Sequence, residues 1–199
     1  MSRNWSLILV AAFALGYGVK VFFDSKPAHV VDQSASIKAT LQGKNNTDVV
    51  LFDPQDERVR IVYFGFTHCP DVCPTSLAML AGALNQLDSE TKLSLRPIFI
   101  SLDPDRDDGN QAHTYAQYFH PMIEGLSAPL TITQPLATQY GVVFKRTELQ
   151  ESELGYTLDH NSYFYFLKPD GSLITKVPHT LTPAPLVAAI ESLNQNNKD

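Results

Sequence analysis

Two cysteines with three residues between them are the strongest chemical signal in the sequence. Cys69 and Cys73 are the only cysteines of the chain, and they lie in the segment CPDVCP. A β-branched, aromatic run precedes the pair, and a run with apolar residues at helical spacing follows it. A helix N-terminus favours an anion and lowers the pKa of a nearby thiol. The pair is therefore suited to two functions, which are thiol-disulfide exchange and metal binding.

The spacing separates these two functions only in part. Dithiol oxidoreductases with a strand, cysteine pair and helix in this order usually have two residues between the cysteines, so the longer spacing favours two ligands on one metal ion. It does not forbid a disulfide. An inert structural disulfide is a weak alternative, because closing so small a loop gains little chain entropy.

A third ligand would have to come from elsewhere in the chain, and His160 is the candidate among six histidines. It lies in TLDHNS, directly before an apolar run that predicts a strand. In an α/β sandwich, a loop that enters a strand can lie beside the helix N-terminus that carries the cysteines. Spacing alone does not decide between a metal ligand and a histidine that is only hydrogen-bonded in a loop.

The elements around these residues predict an α/β fold. Buried strands are predicted at 58–66 and 93–102, and a hairpin at 162–168 with its partner strand after the turn PDG. Helices are predicted at 76–87, over GNQAHTYAQYF, over PLATQYG, and from Pro183 onward. This order predicts a central sheet flanked by helices, in which a strand, a cysteine pair and a helix are arranged as in thioredoxin-like folds.

Three regions divide the chain. Residues 1–23 hold an apolar stretch long enough to span a bilayer, so we expect a transmembrane anchor, with a cleaved signal peptide as the alternative. Residues 24–47 are polar and lack periodicity, which predicts a linker. Residues 48–199 are expected to form one domain on the extracytoplasmic side of a membrane, such as the bacterial periplasm.

Composition and the remaining motifs exclude several classes of function. The formal net charge is −6, which does not fit a nucleic-acid partner because phosphate backbones need clustered bases. Asp103, Asp105 and Asp107 superficially suggest a calcium loop, but an EF-hand needs glycine where Asp108 stands. We expect a polar turn in which Asp107 or Asp108 caps the next helix. The side chain of His68 should point away from the adjacent Cys69.

Three ordered motifs carry a family resemblance. FGFTHCPDVCPTSL, FISLDPDRD and LDHNSYFYFLKPDG together resemble the SCO/SenC family of thioredoxin-like copper-binding proteins. The resemblance implies a role in assembly of the copper centre of cytochrome c oxidase, with Cys69, Cys73 and His160 as copper ligands. It also implies that Asp159 orients the histidine. Two features depart from the family: Asn161 follows the histidine in place of Ser or Thr, and the usual glycine-rich hairpin has only a loose counterpart before the first core strand.

These observations leave several functions open. Thiolates suit Cu(I), and an added imidazole gives a site that also accepts Cu(II). We expect a membrane-anchored copper metallochaperone whose partners are the copper-accepting oxidase subunit and a thiol reductant or upstream copper donor. The alternative is an enzyme, a thiol-disulfide oxidoreductase in which Cys69 and Cys73 are the redox-active pair. A peroxiredoxin-type function and a zinc site are weaker alternatives, since zinc normally takes four ligands.

Overall fold

A five-stranded mixed sheet forms the centre of the protein in the computed structural model, which describes residues 39–150 and 152–196. Its strands are β3 (Val59–Gly65), β4 (Leu95–Ser101), β5 (Glu124–Leu126), β8 (Tyr163–Leu167) and β9 (Leu173–Pro178). Their spatial order is β5-β4-β3-β8-β9. The first three strands in this order run parallel, and β8 and β9 are antiparallel to their neighbours. The predicted α/β fold with a central sheet is confirmed.

The two central strands fix where a site can form. β3 and β4 are almost continuously apolar, and all of β4 is buried, as expected for strands covered on both faces. They pair in register from Val59 beside Leu95 to Gly65 beside Ser101. Because parallel strands end at the same edge of a sheet, the cysteine segment after β3 and the DPDRD segment after β4 leave the sheet side by side.

Helices flank the sheet. They are α1 (Val72–Gln86), α2 (Ser89–Leu93), α3 (Gly109–Phe119), α4 (Leu130–Gln139) and α5 (Ala184–Asn196). The predicted apolar face of α1 is buried through Leu77, Leu80 and Leu84, and this helix packs against α5. The predicted cap of α3 is also confirmed, because Asp108 and Gln111 form a reciprocal capping box.

The domain begins earlier than the composition predicts. Thr40–Gln42 (β1) pairs with Asp48–Val50 (β2), and the 3₁₀ turn Lys44–Asn46 lies between them. Leu41 is 1% exposed and belongs to the core. Residues 39–47, predicted as part of the linker, are therefore part of the domain, and the predicted start at 48 is too late. Each of these two strands has only three residues, which is too short for an alternating pattern of apolar and polar residues to stand out from the polar sequence around it.

A second hairpin lies apart from the central sheet and was missed by the sequence patterns. Phe144–Glu148 (β6) pairs antiparallel with Tyr156–His160 (β7), and the two form a sheet of their own. His160 therefore ends a strand instead of lying in a loop, although it does precede β8 as expected. The predicted anchor, residues 1–23, lies outside the described residues. Among the residues that the structure describes, no helix is both long and apolar enough to cross a membrane.

Candidate metal and redox site

Cys69 lies at the N-terminus of α1, where its sulfur takes the place of a capping group. The N-cap residue Asp71 makes no side-chain capping bond. The backbone N–H of Cys73 instead donates to Sγ of Cys69 at 3.4 Å. Free N–H groups at a helix N-terminus favour a negative charge, so the sulfur lies where a thiolate is stabilised. Both cysteines are free thiols in the structure.

Cys73 is the buried member of the pair. It is 0% exposed and belongs to the hydrophobic core, whereas Cys69 is only partly buried. Gly65 at the end of β3 provides the space, because a Cβ atom at that position would lie 2.8 Å from Sγ of Cys73. The strand end and the first turn of the helix thus pack directly on this sulfur.

The structure brings His160 to the same place. Its Nε2 atom lies 3.6 Å from Sγ of Cys73. Two aromatic rings meet the imidazole edge to face, with centroid distances of 6.4 Å for Tyr63 and 6.1 Å for Phe66. The three residues singled out by the sequence therefore converge from two separate elements, the start of α1 and the end of β7.

The electrostatics of the three groups differ. The hydrogen bond with the Cys73 side chain and the backbone N–H groups of Cys73 and Asp71 lower the pKa of Cys69 to about 5, against the opposing effect of partial burial. The pKa of Cys73 is raised, first by its hydrogen bond with Cys69 and then by burial. Burial lowers the pKa of His160 below its usual value, which favours the neutral imidazole. Near pH 7 the site holds one thiolate, one thiol and one neutral imidazole.

The second nitrogen of His160 is not held by the residue that the resemblance implies. Nδ1 lies 3.1 Å from the backbone carbonyl oxygen of Asn161. Asp159 instead accepts a hydrogen bond from Thr147 across the hairpin at 2.6 Å. Asn161 also uses its side chain, accepting from the N–H of Val143 and donating to the carbonyl of Gly141. Asn161 therefore fixes both the imidazole and the base of the hairpin.

The DPDRD segment supports the cysteine loop in a way that sequence spacing did not reveal. The carboxylate of Asp107 is 0% exposed, and it accepts from the N–H of Thr67 at 2.9 Å and from its hydroxyl at 2.5 Å. Ser101 donates a third bond at 2.6 Å. His68 contacts the hydroxyl of Thr67 through Nδ1 at 3.0 Å, and the same nitrogen lies 3.6 Å from the carboxylate of Asp107.

Two other histidines of the described residues contact groups outside the three predicted ligands. His179 contacts the buried hydroxyl of Ser76 at 2.7 Å, one helical turn after Cys73. His120 accepts from the backbone N–H of Met122. Within the described residues, no three His, Cys, Asp or Glu side chains stand in a ready-made metal-holding arrangement. A cavity of about 360 Å³ lined by Asp105, Asp107 and Asp108 includes none of the three predicted ligands.

Comparison with known proteins identifies the family. The family model described as SCO1/SenC matches residues 33–195, which is most of the chain. The protein belongs to the SCO1/SenC family. The match begins before residue 39 and so agrees with the earlier start of the domain seen in the structure.

Relatives within the SCO1/SenC family resemble this chain in sequence and in fold. The protein SCO1 homolog 1, mitochondrial, of Arabidopsis thaliana is 32% identical over 178 residues, covering 81% of this chain and 53% of that protein. The chain thus spans about half the length of this curated relative. Copper-bound ScoI of Arabidopsis thaliana has a TM-score of 0.68 and 29% identity, covering 78% of this chain and 96% of that one. Copper-bound ScoI of Bradyrhizobium japonicum has a TM-score of 0.65 and 30% identity, and the match covers 77% of this chain and 95% of that one.

Proposed function

We propose that this SCO1/SenC protein is a copper carrier that binds Cu(I) and Cu(II) through Cys69, Cys73 and His160. Its role is to assist assembly of the copper centre of cytochrome c oxidase. The observation that carries the proposal is the approach of Nε2 of His160 to within 3.6 Å of Sγ of Cys73, beside the sulfur that caps the same helix. Two sulfurs and one imidazole nitrogen form a donor set that suits copper.

The distances fit two ligands of one metal ion. Metal bonds of about 2.3 Å to sulfur and about 2.0 Å to nitrogen, the values known for zinc, leave the two donor atoms roughly 3.5 Å apart at a tetrahedral angle. The separation of Cys73 Sγ and His160 Nε2 is 3.6 Å. The neutral imidazole favoured by burial leaves Nε2 able to donate its lone pair. Cys69 already favours the thiolate, so binding a metal requires only one further proton to leave, that of Cys73.

Copper is the cargo of this protein in the proposal, and the cysteine redox state controls loading. Oxidation of the Cys69 thiolate and the Cys73 thiol to a disulfide removes two electrons and one proton, and the sulfurs then lose their capacity to bind metal. The proposed partners are therefore a thiol reductant or upstream copper donor, and the copper-accepting subunit of the oxidase. The anchor predicted at residues 1–23 would hold the domain at the extracytoplasmic face of a membrane.

A second function is favoured by the asymmetry of the two thiols. Cys69 is partly exposed with a pKa of about 5, while Cys73 is buried with a raised pKa. A thiol-disulfide oxidoreductase uses this arrangement, in which an accessible thiolate attacks a disulfide and a protected thiol resolves the mixed disulfide. The same pair could keep the cysteines of the oxidase subunit reduced.

Anaerobic Cu(I) titration of the reduced full chain against a competing chelator tests the carrier function. We expect one tight Cu(I) per chain, weakened at least tenfold by His160→Ala. His113→Ala is the matched control, because that histidine lies on α3 and should leave the affinity unchanged. Equal affinity in His160→Ala would refute the proposed ligand set. Efficient reduction of insulin disulfides by the His160→Ala variant, without tight copper binding by the wild type, would favour the oxidoreductase.

A further inference from the structure

The hairpin that carries His160 needs support from outside itself. Within the part of the chain that the structure describes, β6 and β7 pair only with each other, from Phe144 beside His160 to Glu148 beside Tyr156. An isolated two-stranded hairpin is at best marginally stable in water. The position of His160 relative to the cysteines therefore depends on what holds the two ends of this hairpin.

The segment that follows β4 holds the end of the hairpin that is farther from His160. The ring of Tyr156 contacts two guanidinium groups, with Cζ of Arg106 at 3.6 Å and Cζ of Arg146 at 3.5 Å from its centroid. Arg106 donates from Nη1 to the backbone carbonyls of Leu154 at 3.1 Å and Tyr156 at 3.2 Å. Close stacking of a guanidinium on an aromatic ring adds to these bonds.

Asp103 closes this set of contacts. It is 3% exposed and accepts from the hydroxyl of Tyr156 at 2.6 Å and from Nε of Arg106 at 2.5 Å. Its own N–H donates to the hydroxyl of Ser101, the last residue of β4. Asp103, Arg106 and Tyr156 thus bond one another in a ring that is tied to the central sheet.

The segment Asp103–Asp107 also holds the cysteine loop. Asp107 donates its N–H to the carbonyl of Asp103 at 2.9 Å, which closes a tight turn. Its carboxylate binds Thr67, two residues before Cys69. One short turn therefore contacts the hairpin on one side and the cysteine loop on the other.

We propose that the segment Asp103–Asp107 is a positioning brace that sets the distance between His160 and the cysteine pair. The proposal rests on the proposed function, because that distance matters for ligands of a shared metal. Phe66 lies between the brace and the histidine. The centroid of its ring is 6.0 Å from Cζ of Arg106 and 6.1 Å from the centroid of the His160 imidazole. Arg106 and Tyr156 act through these contacts and do not touch the metal themselves.

The test uses three local variants, Arg106→Gln, Arg106→Lys and Tyr156→Phe, and a matched control. Arg106→Gln removes the guanidinium group that bonds Asp103, Leu154 and Tyr156. Tyr156→Phe removes only the hydroxyl that donates to Asp103. Arg58→Gln is the control, because Arg58 makes an ion pair with Asp56 just before β3, at the opposite end of that strand from the cysteines. The metal-free readout is the nuclear Overhauser effect between the ring protons of His160 and Phe66. The second readout is the Cu(I) affinity of the full chain.

The brace predicts a graded result. Arg106→Gln should lose the His160–Phe66 signal and weaken Cu(I) binding at least tenfold, Tyr156→Phe should show a smaller loss of both, and Arg58→Gln should change neither. Arg106→Lys should recover only part of the loss, because an ammonium group lacks the planar fork that reaches both carbonyls and the carboxylate. A loss of stability alone would leave the ring contact of the folded population unchanged.

Three outcomes separate a failure of the brace from a failure of the proposed copper function. A folded Arg106→Gln protein with the wild-type ring contact and copper affinity would overturn the brace. If Arg106→Gln does not fold, wild-type values for both readouts in Tyr156→Phe and Arg106→Lys would overturn it equally. If the ring contact is lost in Arg106→Gln while the wild type binds no copper, the brace holds and the proposed copper function fails.

Discussion

The unequal thiols lead to a prediction for the pH dependence of alkylation. The pKa of Cys69 is lowered to about 5 by its hydrogen bond with Cys73 and by the backbone N–H groups, whereas an ordinary cysteine titrates near 8.5. Only the thiolate reacts with iodoacetamide. The rate at Cys69 should therefore rise with a midpoint near pH 5 and stay flat above about pH 6, while Cys73 stays protonated and buried.

The size of the effect follows from two opposing factors. At pH 5 about half of Cys69 is thiolate, against roughly 0.03% of an ordinary thiol, which is a gain of about 1,600-fold. A thiolate of lower pKa is less nucleophilic, and a Brønsted coefficient of about 0.4–0.5 reduces the gain by roughly 25- to 60-fold. Cys69 should then react about 30 to 60 times faster than free cysteine at pH 5.

The assay is alkylation of the reduced, metal-free full chain from pH 4 to pH 9, with the adducts located by mass spectrometry. Cys73→Ser keeps a hydroxyl that can donate to Cys69, whereas Cys73→Ala removes the donor. The midpoint should stay low in the serine variant and move towards 8.5 in the alanine variant. A wild-type midpoint of 8 or above, or equal labelling of both cysteines, would refute the reasoning.

Three further predictions follow from the core and the site. Arg60 is fully buried, donates to the carbonyls of Leu51, Asp53, Asp56 and Arg58, and forms an ion pair with the carboxylate of Asp56. Arg60→Met removes one partner of this pair and should cost about 3–5 kcal/mol in urea unfolding; equal stability would contradict this. Gly65→Ala places a Cβ 2.8 Å from Sγ of Cys73, so it should lower stability by about 1–3 kcal/mol and weaken copper binding, and an unchanged copper affinity would count against the close packing. The folded pKa of Cys69 is below its unfolded value, so its contribution to stability is present above about pH 8.5 and is lost as pH falls through 5. The free energy of unfolding of the wild type should therefore rise between pH 5 and pH 8, and it should rise less steeply in Cys69→Ser. An identical slope in the two proteins would argue against the lowered pKa.

The central strands and the main helices are predictable from the sequence because burial on both faces leaves a clear local pattern. β3 and β4 are largely apolar runs, and the apolar residues of α1 recur at helical spacing, so these elements are recognisable without knowing what they pack against. The strands that the patterns missed are short or half-exposed. β6 (Phe144–Glu148) and β7 (Tyr156–His160) are fixed by pairing with each other and by contacts with Arg106, which lies far away in the chain.

The site shows the same division between local and long-range information. Cys69 and Cys73 are recognisable because both lie within one turn of a helix start. The approach of His160 to Cys73 depends on a separation of 87 residues, and the motif resemblance supplied it where spacing alone left it open. The bonds from Asp107 to Thr67 have no sequence signature, because their spacing of 40 residues reflects only the parallel pairing of β3 and β4.

The most direct test of the proposed copper site is X-ray absorption spectroscopy of the reduced full chain loaded with one equivalent of Cu(I). The proposed ligand set predicts a copper shell of two sulfurs and one imidazole nitrogen, with the nitrogen lost in His160→Ala and retained in His113→Ala. A shell of two sulfurs alone in the wild type, or a nitrogen that persists without His160, would contradict the assignment of Cys69, Cys73 and His160 as the copper ligands.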